Sequence, residues 1–150
     1  MIRDPRLRGL SSEHHAALML ARNLDRAVEA GQPALLQAAA AQLAARFATE
    51  LEAHFQVEEA LLFPTLAALG HNALVKQAQA DHAYLRQGAT AAAQGQTEHL
   101  GVYAERLAAH VRHEEREIFP LAQSLLPAAA LDAIAERAPK APRAAQAPPP

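Results

Sequence analysis

The sequence contains no cysteine and no tryptophan, and its other aromatic residues are four phenylalanines and two tyrosines. Without cysteine, the chain cannot form a disulfide scaffold, a thiolate metal site, an iron–sulfur cluster or a cysteine nucleophile. Valine and isoleucine are also scarce, at five and three residues, against 39 alanines and 21 leucines. Because β-branched residues favour strands, whereas alanine and leucine favour helices, this composition predicts an all-α protein.

Long apolar runs and a large excess of one charge are missing as well. The most apolar stretch, residues 35–48, contains two glutamines and an arginine, so no membrane span is expected. Fourteen basic and sixteen acidic residues give a net charge of −2, which counts against a nucleic-acid partner. The first residues lack the apolar core of a secretory signal, so we expect a cytoplasmic protein, as a monomer or a homodimer.

Glycine and proline divide the 150 residues into helices joined by short links. Gly31, Gly70 and Gly95 mark breaks, and Pro64 and Pro120 are expected to kink or end the helices that contain them. Four long helices are expected over residues 11–30, 33–63, 72–93 and 97–126, and a short last helix over residues 127–137. This pattern predicts one domain, an up-down-up-down four-helix bundle over residues 1–137. Residues 138–150, which hold five of the ten prolines, are expected to form a disordered Pro/Ala-rich tail.

An eleven-residue pattern occurs twice in the chain. The motif H-x-x-x-E-E-x-x-x-F-P begins at His54 in the second helix and again, 56 residues later, at His110 in the fourth. Four residues rise about 6 Å along an α-helix and return to nearly the same face, so His54 and Glu58 point to one place. The same holds for His110 and Glu114. Imidazole and carboxylate ligands suit iron or manganese, and also zinc. Surface His–Glu pairs are the alternative, disfavoured because both histidines lie on apolar stripes.

The first and third helices offer one inward histidine each. His82 shares its helix face with Val75, Ala78, Leu85 and Ala89. His14 lies on the apolar stripe of the first helix, whereas His15 shares a face with charged residues, so His14 is preferred and His15 is the reserve. One argument favours His15, because His15-Ala-x-Leu matches His82-Ala-x-Leu. The candidate metal ligands, enough for two ions, are therefore His14, His54, Glu58, His82, His110 and Glu114.

The remaining histidines and acidic residues are expected to lie away from the metal face. His71 and His113 are expected at the surface, and His99 is expected to be structural or exposed. Glu115 remains a possible ligand. Two carboxylates, Glu50 and Asp81, could orient ligands, but solvated side chains are the expectation for both. The other residues expected off the site are Glu59, Glu117 and the core residue Tyr103.

These motifs resemble those of the hemerythrin-like (HHE cation-binding) domains over about residues 10–126. The resemblance rests on Glu13-His14-His15, on Asp81-His82 and on the two H-x-x-x-E-E-x-x-x-F-P runs. It implies a four-helix bundle that holds an oxo- or hydroxo-bridged pair of non-haem iron ions, with zinc or manganese as substitutes. It also implies a division of the ligands: His14 and His54 on one iron, His82 and His110 on the other, and Glu58 and Glu114 bridging both.

The family includes reversible oxygen binders, sensors of iron or oxygen, nitric oxide responders and proteins that help to repair iron–sulfur clusters. Two departures count against oxygen transport: Ala78 stands where oxygen carriers have a histidine, and the fourth-helix ligands are four rather than five residues apart. The lack of cysteine counts against cluster repair.

We therefore expect a protein that binds or senses oxygen, nitric oxide or peroxide rather than a dedicated enzyme. The alternatives are a di-iron oxidoreductase acting on peroxide or nitric oxide, an iron-handling stress protein, and a helical module with a structural zinc site. A ferritin-like carboxylate bundle is excluded, because no glutamate in the chain is followed by histidine three residues later.

Overall fold

The computed structural model describes residues 2–138 and is helical, with no strand in that range. A single 3₁₀ turn, Pro5–Leu7, precedes five helices that we number in chain order. They are α1 (Arg8–Ala30), α2 (residues 33–68), α3 (Asn72–Ala93), α4 (residues 100–125) and α5 (Ala128–Arg137). None of these helices is long and apolar enough to cross a membrane. The all-α prediction is confirmed. The predicted tail lies outside the described residues, except for Ala138, which is buried.

The helix ends follow local backbone chemistry. Gly31 takes the left-handed conformation (φ 67°) after α1, and Pro33 opens α2, as predicted. The bounds of α3 also match the sequence prediction, and the short last helix begins at Ala128, one residue after the predicted start. The start of α1 does not, because it lies at Arg8 rather than at residues 11–13. Asp4 accepts a hydrogen bond from the backbone N–H of Arg6 and caps the preceding turn, so the helical path begins earlier.

The fourth helix also begins later than predicted, at Leu100 instead of Thr97. Residues 97–99 form a turn in which the carbonyl of Thr97 accepts a hydrogen bond from the backbone N–H of Leu100. The helix ends at Leu125, one residue before the predicted end.

Both repeats contain a π-helical turn immediately before Phe-Pro. The backbone N–H of Phe63 donates to the carbonyl of Glu58, five residues back, and Phe119 donates to Glu114 in the same way. Proline lacks an N–H and its ring crowds the carbonyl four residues earlier, so a widened turn relieves that conflict. Pro64 therefore does not end α2, which continues to Ala68. A further π turn, Phe47–Leu51, lies earlier in α2.

The four long helices pack around one axis of buried side chains. Helix α1 lies against α2 and α4, and α3 lies against the same two helices. Helix α5 packs on the π turn Glu58–Leu62 and on the 3₁₀ turn near the N-terminus. The apolar core has two clusters, one around Leu24, Leu43 and Tyr103 and the other around Leu10, Leu66 and Ile118. In each long helix, the candidate ligands lie near the point where residues of one cluster give way to residues of the other.

Candidate metal centre

The six candidate ligands, which we call the inner residues, all lie inside the bundle. They are His14 on α1, His54 and Glu58 on α2, His82 on α3, and His110 and Glu114 on α4. Every one of them is buried, with Glu58, His82 and Glu114 at 0% exposure. The π turns of α2 and α4 begin at Glu58 and Glu114, so each inner glutamate lies where the helix widens.

The Nε2 atoms of the histidines converge on the two glutamates. His54 and His82 approach opposite oxygens of Glu58, with Nε2–Oε distances of 3.2 and 3.1 Å. His14 and His110 both approach Oε1 of Glu114, at 2.8 and 3.3 Å. Each carboxylate is therefore shared between histidines of different helices.

The inner residues form two overlapping groups of four. One group contains His14 and His54, the other contains His82 and His110, and Glu58 and Glu114 belong to both. Within each group, the ligand atoms lie within 4.8 Å of one another. Two ligand atoms on opposite sides of an ion, each bound at about 2.1 Å, are about 4.2 Å apart, so either group would hold one ion after its side chains close by a few tenths of an ångström.

Several of these inner atoms lack a hydrogen-bond partner, which fits a bound cation. Both carboxylate oxygens of Glu58 are buried without such a partner, as are Oε2 of Glu114 and Nε2 of His54, His82 and His110. Nε2 of His54 and His82 lie 3.2 and 3.1 Å from the oxygens of Glu58, but without hydrogen-bond geometry. An unpaired buried polar atom costs about 1–3 kcal/mol, so this cluster is favourable only with a proton or a cation between its atoms. Metal coordination would satisfy all six. The nitrogen and oxygen donors suit iron, manganese or zinc.

The outward nitrogen of every inner histidine is hydrogen-bonded to a second set of acidic residues, which we call the outer carboxylates. Nδ1 of His14 contacts Glu115 at 2.7 Å, and Nδ1 of His54 contacts Glu13 at 2.8 Å. Nδ1 of His82 contacts Glu59 at 2.8 Å, and Nδ1 of His110 contacts Asp81 at 3.1 Å. A carboxylate on Nδ1 fixes the ring and leaves Nε2 free to bind a metal. In this set, each acid lies on a different helix from the histidine that it holds.

Electrostatics couples the inner residues strongly. Burial lowers the pKa of His110, but Glu114, Asp81 and Glu58 more than offset it, and the pKa rises to about 10. The pKa of His54 is also raised well above its usual value, because the nearby glutamates outweigh burial. Burial raises the pKa of Glu114, but the surrounding histidines hold it well below its ordinary range. Without metal, protons on the imidazoles therefore supply the positive charge that the carboxylates require.

Phenylalanine rings shield this polar layer. Phe55 stacks on His82 with ring centroids 3.7 Å apart and planes at 8°. Phe119 stacks on His14 at 5.0 Å, and Phe63 lies 5.3 Å from His82. Phe63 and Phe119 are the repeated phenylalanines of the two motifs. The Phe-Pro part of each repeat thus places one phenylalanine ring next to an inner histidine.

Most other histidines and glutamates lie where the sequence predicts. His15 is exposed, and Nε2 of His99 donates a hydrogen bond to the backbone carbonyl oxygen of Gly88, at 2.8 Å. His71 and His113 are half-buried rather than fully exposed, and neither joins the inner residues. The side chains of Glu50 and Glu117 lie largely in solvent. Tyr103 is a core residue.

The expectation that Asp81 is solvated is wrong, because it is buried against His110. The sequence also gave no role to Glu13 or Glu59, and it left Glu115 as a possible ligand. Glu115 instead contacts the outward nitrogen of His14. A signal was present, since each outer carboxylate is adjacent in sequence to an inner residue. This adjacency did not predict the contacts, because each outer carboxylate contacts a histidine on another helix.

Comparison with known proteins gives a family for the chain. The hemerythrin HHE cation-binding domain family matches residues 6–122. Searches of curated proteins and of solved structures each return no match. The family match covers all four long helices except the end of α4, and it includes every inner residue and every outer carboxylate. The chain therefore belongs to the hemerythrin HHE cation-binding domain family.

Proposed function

We propose that the chain holds two iron ions bridged by Glu58 and Glu114 and binds a small ligand, either oxygen, nitric oxide or peroxide. The observation that carries the proposal is the pair of overlapping ligand groups that share two buried glutamates. In this arrangement His14 and His54 hold one ion, and His82 and His110 hold the other. Zinc or manganese would fit the same donors.

The proposed scaffold is an up-down-up-down bundle. The links between α1 and α2, α2 and α3, and α3 and α4 comprise residues 31–32, 69–71 and 94–99. Links this short favour antiparallel neighbours, and such bundles place metal sites between facing helices.

The ligand count leaves room for a small molecule. Two imidazole nitrogens and two carboxylate oxygens give each ion four protein donors, fewer than the six of an octahedral centre. When bound, a reduced iron pair would supply the electrons for a reaction with oxygen, peroxide or nitric oxide. The residues of the chain do the rest: the outer carboxylates orient the imidazoles, and Phe55, Phe63 and Phe119 keep water away from the polar layer.

The direct test combines metal analysis with an optical spectrum. We expect about two irons per chain and near-ultraviolet absorption in aerobically purified protein, with a spectral change when nitric oxide is added to the reduced form. The double variant His54→Ala/His110→Ala should lose the iron and the absorption. The matched control, His15→Ala/His71→Ala, removes two histidines outside the inner residues and should keep both.

The possible outcomes separate the proposal from its rivals. One zinc per chain would indicate a structural site, and a metal-free wild-type protein would leave only the fold. Iron retained in the double variant would refute the ligand assignment. Sustained consumption of peroxide or nitric oxide with a reductant would identify an oxidoreductase instead of a binding or sensing protein.

A further inference from the structure

Two arginines on α3 and α4 contact outer carboxylates from the solvent side. Arg86 places Nη1 2.7 Å from Oε2 of Glu59 and Nη2 2.9 Å from Oε1 of the same residue. It also donates two hydrogen bonds to Glu52, so one guanidinium ties α3 to two acidic residues of α2. Paired bonds of this kind fix a carboxylate in orientation as well as in position.

Arg86 restrains His82 along two routes. Along the edge of the ring, Glu59 accepts from both Arg86 and Nδ1 of His82 through the same oxygen, Oε2. Along the face, the Arg86 guanidinium lies 5.6 Å from the centroid of the Phe55 ring, which stacks on His82. Both routes end on one imidazole. Side-chain freedom at Arg86 is therefore coupled to the placement of Nε2 of His82.

Arg106 acts in the same way on the other histidine of this pair. Its Nη2 lies 3.2 Å from Oδ1 of Asp81, and the second oxygen of Asp81 contacts Nδ1 of His110. Stacking at 4.3 Å over the ring of Tyr84 holds the guanidinium in place. Gln77 donates a further hydrogen bond to Oδ1 of Asp81.

The histidines of the first group have supports that are separate from Arg86 and Arg106. The side chain of Glu13, which contacts His54, makes no other hydrogen bond or ion pair within residues 2–138. Glu115, which contacts His14, is held by Arg3 at 3.1 Å and by the hydroxyl of Ser11 at 2.8 Å. The Arg3 guanidinium also lies 5.4 Å from the centroid of the Phe119 ring, which stacks on His14, so Arg3 supports His14 as Arg86 supports His82. Neither Arg86 nor Arg106 reaches this half of the centre.

We propose that Arg86 and Arg106 are positioning residues for one metal position alone, the one formed by His82 and His110, and that they act through Glu59 and Asp81. The inference rests on the proposed function, since it requires that the inner residues bind two ions. The two ions are then held by separate supports. Outer partners of metal-bound histidines typically change metal affinity about 10- to 100-fold when they are lost.

The test uses Co²⁺ titration of the metal-depleted full chain, followed by visible absorption and calorimetry. For the wild-type chain we expect two Co²⁺ ions per chain. For Arg86→Gln we expect one ion to bind as in wild type and the other about 10- to 100-fold more weakly, with an altered absorption band for that ion. Arg46→Gln is the matched control, because it removes an exposed ion pair with Glu50 that touches no inner residue, and it should leave both affinities unchanged.

Two further variants keep the test decisive. Arg106→Gln should weaken the binding of the same ion. The double variant Arg86→Gln/Arg106→Gln should therefore still bind one Co²⁺ with wild-type affinity. Arg86→Lys should recover part of the lost affinity, because lysine keeps the charge but not the paired geometry. Equal weakening of both ions, or wild-type titrations for both glutamine variants, would overturn the inference and leave the proposed function intact. A wild-type chain that binds fewer than two ions would overturn the proposed function itself.

Discussion

At the residue scale, the centre is built by pairing each imidazole with two carboxylates. The inner glutamates face Nε2, and the outer carboxylates face Nδ1. The sequence predicted the inner residues because a four-residue spacing on one helix is visible in a single segment. The contacts of Glu13, Glu59 and Asp81 join different helices, and no periodicity within one helix encodes them.

A close approach between α3 and α4 gives a prediction at Gly88. A Cβ added at this glycine would lie 2.4 Å from Cδ2 of Tyr103, whose hydroxyl is anchored to the carbonyl of Leu85. Because the ring cannot shift without losing that bond, Gly88→Ala should destabilise the protein by about 1–3 kcal/mol in urea unfolding.

The matched control is Gly101, in the first turn of α4, where an added Cβ meets only ordinary contacts with Val28 at 3.6 Å or more. Gly101→Ala should be neutral or should stabilise by about 0.5–1 kcal/mol, as alanine does in a helix. Similar effects of the two substitutions would contradict the proposed packing constraint.

At the element scale, the π turns explain how two prolines are tolerated in the helices that carry the ligands. The sequence marked Pro64 and Pro120 as points of distortion, and in both helices the π turn comes before the proline. It could not show that α2 continues past Pro64, because the outcome depends on how one widened turn packs against the rest of the bundle. The helix boundaries at Gly31 and Pro33 were predictable, since backbone preference alone determines them.

The N-terminal arm, residues 2–7, is an element that the sequence did not indicate. Arg3 donates hydrogen bonds to Gln123 and Glu115 on α4, and Leu7 is fully buried against the second core cluster. We expect Leu7→Ala to cost about 2–5 kcal/mol of unfolding free energy, because it removes buried volume beneath α5.

Leu69→Ala is the control for this prediction, since Leu69 is 47% exposed and should contribute within about 0.5 kcal/mol. Chemical denaturation monitored by circular dichroism measures both variants. An arm that merely rests on the surface would give the same small loss for each.

At the scale of the whole molecule, stability depends on whether the inner histidines carry protons or bind metal. The pKa of His110 is raised to about 10 from its usual value near 6.5. Protonation of His110 therefore stabilises the folded state, and this contribution is fully present below pH 6.5. That contribution is lost as the pH rises through about 10. Metal binding has the opposite pH dependence. It becomes stronger as the pH rises, because protons compete with the metal for the imidazole nitrogens.

We therefore expect the metal-depleted protein to lose thermal stability between pH 6.5 and 9, while metal stabilises it more strongly at the higher pH. At a metal concentration a hundredfold above Kd the gain is about 2.7 kcal/mol, or roughly 5–10 °C in Tm. Calorimetric scans with and without metal at both pH values test this. His15→Gln should reproduce the wild-type curves, and a metal-free Tm that rises with pH would contradict the sign.

The cross-helix pairing of the outer carboxylates also bears on how the protein matures. Glu115 and Asp81 act on histidines far away in sequence, so no half of the chain contains a complete set of supported ligands. On the proposed function, a chain still being synthesised cannot capture its ions until α4 has joined the bundle. Loading with metal would then mark the completion of folding, and incomplete chains would be kept from holding reactive iron.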